Sequence, residues 1–435
     1  MDNPPSKKIG LPKATSLVVG NMIGAGIFLL PSSLAYYGSI SFIGWLCSGV
    51  GAIFLALVFS RLSRNSPETG GPYIYTRQAF GDFAGFLAAW GYWLSIIPTN
   101  AAISIAFTGY LSIFIPDIGQ STVLSATTAI VVLWTLTLVN LRGTSTSGTV
   151  QLITTIIKIL PLIAISVVGL FFMDLSNLNS FNISEERNID AVVATLTLTL
   201  FALMGMECAT IPAGDIEEPE KVIPKATILG TAVVIALYLI TTFTIMGLIN
   251  PLQLQNSNAP FADAAGLIFG SFGGYLVGLG ALVSTFGALN GWILIQGQIP
   301  LAIARDGLFP RSMAKTNRHG APAFAIIVSS LLITFLIIAN SSKGLVSMFT
   351  FMIQITAFAV SIPYLFSSLA EVLILHKTGK LDRNRLIKSL TFGLPAFIYS
   401  FYAMVGTGLE PVYYGFALLI LGLPVYIWSK LQKEP

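Results

Sequence analysis

The chain has 435 residues, of which 54% are hydrophobic and only 10% charged, with a formal net charge of +4 and a mean hydropathy of +0.80. That length would suit two or three soluble domains, but apolar runs long enough to span a bilayer recur from end to end. The composition therefore excludes a soluble enzyme or nucleic-acid binder and predicts an all-α polytopic membrane protein.

The pattern predicts twelve spans, at roughly 13–37, 41–63, 83–114, 121–141, 148–171, 191–212, 226–249, 271–303, 322–339, 345–374, 388–408 and 412–429. Residues 1–12 read as a polar tail that leads into a full-length span, unlike a cleavable signal peptide. Of the 23 Lys and Arg, Arg187 and Lys343 fall on one side and Lys158 within a span. The others, from Lys7 and Lys8 to Lys430 and Lys433, fall on the side of the N-terminus. The positive-inside bias then puts both termini in the cytoplasm, with 430–435 as a second short tail.

The first span is interrupted by Gly20, Gly24 and Gly26. Each glycine weakens a helix by roughly 1 kcal/mol relative to alanine, and in hydrocarbon a freed peptide group has no water to bond. Either the glycines let neighbouring helices pack closely, or the helix breaks beside a polar cavity. In the second case, the N–H groups of the following half-helix suit a carboxylate. The sixth span repeats the interruption at Gly205-Met206-Glu207, followed by Pro212. The third and eighth spans are both unusually long. A five-helix unit used twice, 13–171 and 191–374, with 388–429 added, fits this pattern. Because five is odd, the second copy is inverted, and matched interruptions point to a binding site between the copies.

Few polar side chains lie deep in the spans. Glu207 is the carboxylate nearest a span centre, while Glu371 lies towards the end of the tenth. A central acid costs about 2.5–3.5 kcal/mol, so it needs a partner or a neutral form. It serves either as a proton carrier or as a structural hydrogen-bonded carboxyl. Lys158 lies ~15 Å along the fifth span, too deep for easy snorkelling. It can bridge helices in place of a metal cation, titrate, or line a water-filled cavity. Asn100 in the third span can bond a substrate or hold helices together. Phe201 and Trp292 can pack in the core or hold a cation on a ring face, and Thr356 and Tyr364 in the tenth span are weaker candidates. Cys47 and Cys208 read as free thiols. No metal-ligand cluster, cofactor motif, catalytic triad or phosphate loop appears.

The chain resembles the amino acid–polyamine–organocation superfamily, and within it the basic amino acid/polyamine antiporters. The resemblance rests on Gly20-Asn-Met-Ile-Gly-Ala-Gly-Ile-Phe-Leu-Leu-Pro31, Gly70-Gly-Pro-Tyr73, Gly205-Met-Glu207, Glu218-Pro219, Asn290-Gly-Trp292, Asp306-Gly-Leu-Phe-Pro310 and Pro363-Tyr364. It implies a leucine-transporter-like fold of inverted five-helix repeats, and a homodimer. It also implies that amides around Ala25 and Gly26 bind the substrate carboxylate. The carbonyls of Met22, Phe201 and Met204 would take the ammonium, and Asn100, Ile103, Trp292 and Thr356 would surround the side chain. Glu207 would sense protons, and Tyr92, Trp292 and Tyr364 would gate. Phe201 stands where the arginine/agmatine exchanger has tryptophan, and Lys158 resembles the fifth-helix lysine of proton-coupled or sodium-independent carriers.

The expected activity is sodium-independent exchange of a basic amino acid or its amine by alternating access, in the inner membrane. The alternatives are a proton-coupled carrier of neutral amino acids and a membrane amino-acid sensor.

Overall fold

The computed structural model describes residues 9–66, 70–142, 162–210, 213 and 216–431. The helices are α1 (Leu11–Met22), α2 (Ala25–Ala35), α3 (Ser41–Asn65), α4 (Pro72–Phe80), α5 (Asp82–Leu111), α6 (Pro116–Gln120) and α7 (Thr122–Asn140). The short apolar helix α8 (Leu162–Phe171) follows. The rest are α9 (Asn188–Ala202), α10 (Pro219–Leu248), α11 (Pro251–Leu254), α12 (Pro260–Arg305), α13 (Ala323–Ala339), α14 (Leu345–Lys377), α15 (Arg383–Val405), α16 (Leu409–Ile420) and α17 (Gly422–Leu431). Proline stands in the first turn of α1, α4, α6, α10, α11 and α12, where its missing N–H costs nothing and its fixed φ suits a helix.

Among the described residues, 8 helices are long and apolar enough to cross a membrane, α16 and α17 together forming one of them. The bent pair α1–α2 meets the same length and hydropathy test when taken together, and α8, α9 and α13 are shorter apolar helices. The eighth span, expected at 271–303, lies in α12, where Gly270 (φ 71°) divides the run into helices over 260–269 and 271–305. A left-handed residue inside such a run favours glycine. The sixth span, read as interrupted at Gly205, consists of α9 followed by the 3₁₀ turn Met206–Thr210. The start of the fifth span, with Lys158, lies outside the described residues.

Burial separates the helices into a centre and a rim. The most apolar stretch of α5 is 89% buried and that of α14 is 78% buried, whereas α16–α17 reaches only 17%. The most extensive helix pairing is α5 with α14, and α12 packs on α5 while α10 packs on α3. Leu409, Tyr413, Phe416, Ile420 and Trp428 leave a broad apolar exterior on the rim, a surface suited to a membrane environment. Both broken spans touch the α5–α14 centre: α2 packs on α5, α9 and α14, and α1 packs on α10 and on the Met206–Thr210 turn.

Candidate substrate site between two broken helices

Helix α1 stops at Met22 in a tight turn. Ile23 has φ −74° and ψ 79°, and the Gly24 N–H bonds back to the Met22 carbonyl at 2.8 Å, the geometry of an inverse γ-turn. Gly24 is extended, and α2 restarts at Ala25. The first N–H groups of a helix have no acceptor within it, so the positive end of α2 is presented in mid-span. The second break mirrors the first. Helix α9 ends at Ala202, and Gly205 turns the chain with φ 103°. A β-carbon at Gly205 would stand 3.2 Å from the Asn21 carbonyl carbon and the Met22 nitrogen. The two breaks are therefore in backbone contact.

A cavity of ≈ 20 Å³ lies between them, lined by Met22, Gly26, Ile103, Phe201, Met204 and Trp292, with Asn21, Gly24, Thr99 and Ala202. That volume holds about one water molecule, far less than an amino acid, so the site is collapsed. The Phe201 ring causes much of this. A β-carbon at Gly26 would sit 3.1 Å from that ring, and Phe201 meets Phe349 edge to face with centroids 6.0 Å apart. On the side away from the termini, the Tyr110 hydroxyl donates to the Phe28 carbonyl at 2.6 Å, and Phe261 of the 260–269 helix packs on Phe28 at 5.0 Å.

Glu207 seals the other side. Its carboxyl accepts from the Tyr92 hydroxyl at 2.7 Å, from the Tyr364 hydroxyl at 2.8 Å and from the Gly205 N–H at 3.3 Å. Glu207 and Tyr364 are fully buried, and Tyr92 is 5% exposed. One side chain thus ties α5 and α14 to the second break. Beyond it lies a cavity of ≈ 340 Å³ that Tyr92 shares with Tyr73 and Asp306.

The Amino acid permease family model matches residues 9–424. The chain belongs to the amino acid permease family. The permease is 31% identical over 423 residues to a putrescine transporter, PotE, of Haemophilus influenzae, covering 97% of each chain. It is 31% identical over 466 residues to a putative arginine/ornithine antiporter of Bacillus subtilis, covering 99% of each. A cadaverine/lysine antiporter of Escherichia coli is 30% identical over 410 residues, covering 92% of the permease and 90% of that protein.

Three expected contacts of the permease differ in detail. Asn100 does not line the cavity: its Nδ2 donates to the Gln296 Oε1 at 2.7 Å, facing α12. Successive helical residues turn by about 100°, so with Thr99 and Ile103 facing the cavity, Asn100 points away. Its Oδ1 is nevertheless buried without a partner. Thr356 also does not line the cavity: its hydroxyl shares a hydrogen bond with that of Thr99 at 3.3 Å. The Met22 carbonyl already accepts from Gly24 and from the Tyr238 hydroxyl at 2.7 Å, which uses both lone pairs. Sequence reasoning missed Thr99 and Tyr238. Thr99 carried a signal, since it adjoins Asn100 and precedes Ile103 by one helical turn. Tyr238 carried none. Helix α2 begins at Ala25.

Proposed function

We propose that the permease is a sodium-independent exchanger of a basic amino acid and its amine product, working by alternating access. The observation that carries this reading is the pair of mid-span breaks in contact around one collapsed cavity. The free N–H groups at the start of α2 suit a carboxylate, and the carbonyls of Phe201, in the last turn of α9, and of Met204, just beyond it, suit an ammonium. Phe201 and Trp292 offer ring faces to a cationic side chain, each worth about 0.5–2 kcal/mol. The relatives named for putrescine, arginine/ornithine and cadaverine/lysine support the same substrate class.

In this reading the fold is a twelve-span, leucine-transporter-like arrangement of inverted repeats. The antiparallel approach of α1–α2 and α9 with its turn supports it. Substrate entry swings Phe201 and Trp292 aside, and release towards the termini requires Tyr92 and Tyr364 to leave Glu207, which then exchanges a proton. The resemblance and the Lys/Arg bias support an inner-membrane homodimer with cytoplasmic termini.

A second reading, proton-coupled uptake of neutral amino acids, is favoured by a cavity lining that holds no carboxylate. A competition panel in proteoliposomes separates the two. Arginine, lysine, ornithine, putrescine and cadaverine should block labelled uptake, and alanine, serine and leucine should not. Block by the neutral set alone would transfer the assignment to the second reading.

A further inference from the structure

A second cavity, of ≈ 460 Å³, opens where α3 and α14 end and α15 begins, and shares no residue with the central one. Arg61, Arg64, Lys380, Arg385 and Lys388 line it, with one carboxylate, Glu371. That carboxylate is already satisfied: Arg61 Nε reaches its two oxygens at 3.0 and 2.7 Å, and the Asn65 amide adds a bond at 3.1 Å. Arg385 keeps Asp382 at 3.5 Å. Among the described residues, Arg64, Lys380 and Lys388 form no ion pair. A concave wall of like charges focuses a field that attracts an anion. A neighbouring hollow of ≈ 390 Å³ shares Arg64 and Lys380 and adds Lys377, so the cationic surface extends beyond one pocket.

Position identifies the anion. The cations stand at helix ends, the level of a bilayer's headgroups. Beside Lys388, α15 carries an apolar stripe, with Ile387 54%, Leu390 43% and Leu394 51% exposed. Spacings of three and four residues keep these on one helix face, running from the cavity towards the bilayer centre. A free phosphate would use the cations and ignore the stripe, whereas a phospholipid uses both. We propose that this cleft binds the headgroup phosphate of an anionic phospholipid, with the acyl chains lying along Ile387, Leu390 and Leu394. Basic clefts between membrane helices recognise such headgroups.

The test uses the full-length protein, delipidated in neutral detergent, with bound lipid counted by native mass spectrometry. Phosphatidylglycerol should be retained at least about fivefold better than phosphatidylcholine. A cation near an anionic headgroup contributes ~1 kcal/mol, or about fivefold. The double variant Lys380→Gln/Lys388→Gln should therefore lose roughly tenfold or more of the phosphatidylglycerol. Lys315→Gln/Arg318→Gln, which removes two cations outside the cleft, should lose none. If the double variant does not purify as a monodisperse species, each single variant is measured, with a loss of about two- to fivefold expected. Unchanged retention in the cleft variants, equal retention of phosphatidylcholine, or displacement of the lipid by millimolar inorganic phosphate would each overturn the proposal.

Discussion

Gly24 and Gly205 both sit in breaks, but they are not equivalent. Gly24 has negative φ, and a β-carbon there would meet nothing closer than 3.9 Å. Gly205 has φ 103° and backbone atoms 3.2 Å from where a β-carbon would lie. Gly24→Ala should therefore leave thermal stability in detergent nearly unchanged, whereas Gly205→Ala should lose on the order of 1–3 kcal/mol to backbone strain and most of its transport. Equal melting behaviour in the two variants would remove the distinction. Glu207 belongs to the same scale. If its carboxyl exchanges a proton when Tyr92 and Tyr364 let go, Glu207→Gln should flatten the pH profile of exchange while the protein still folds. A pH profile identical to that of the unsubstituted protein would leave Glu207 a structural tie.

Elements show how far the sequence could be read. The interruptions at Gly24 and Gly205 were legible because glycine is costly in a lipid-embedded helix, and both helices do stop there. Phase was less legible. Asn100 is the most polar residue near the middle of α5, yet Thr99 faces the cavity and Asn100 bonds Gln296. A run buried all round carries no amphipathic stripe to fix its rotation. The break in α12 at Gly270 coincides with the expected start of the eighth span at 271, although one glycine among many shows its positive φ only in the structure. Collapse of the site was also hidden, because it depends on where the Phe201 ring settles against Gly26.

The ends of elements carry a prediction of their own. Asp82, at the start of α5, takes Arg77 at 2.9 Å and Lys430 of α17 at 2.7 Å. Arg77 also approaches Asp306 Oδ2 at 3.5 Å, the same oxygen that accepts from the Tyr73 hydroxyl at 2.8 Å. The pairs around Asp82 are about one-third exposed, so solvent screens them. Asp82→Asn should lower stability by no more than ~1 kcal/mol, read as a shift of a few degrees in a detergent melt. A loss several times larger would mean that this network, and not Glu207, holds the terminal side shut.

At the scale of the whole molecule, the two central helices α5 and α14 carry the partners of both breaks, while α15 to α17 face outward. In the proposed cycle, opening the site separates the broken pair from α5 and α14, with Tyr92–Glu207–Tyr364 the contact to release on one side and Phe201–Phe349 the contact on the other. Phe201→Ala should enlarge the ≈ 20 Å³ cavity and weaken substrate binding, since it removes a ring face worth about 0.5–2 kcal/mol to a cation. The apparent affinity for ornithine would then fall by roughly two- to thirtyfold, and tighter binding would rule out a ring contact with the substrate.

The decisive measurement is counterflow in sodium-free proteoliposomes. Vesicles loaded with putrescine or cadaverine should take up labelled ornithine or lysine many times faster than empty vesicles, and Gly205→Ala should abolish the difference. Uptake that is equally fast into empty vesicles, or that survives when the second break is strained, would contradict an exchanger built on two interrupted helices.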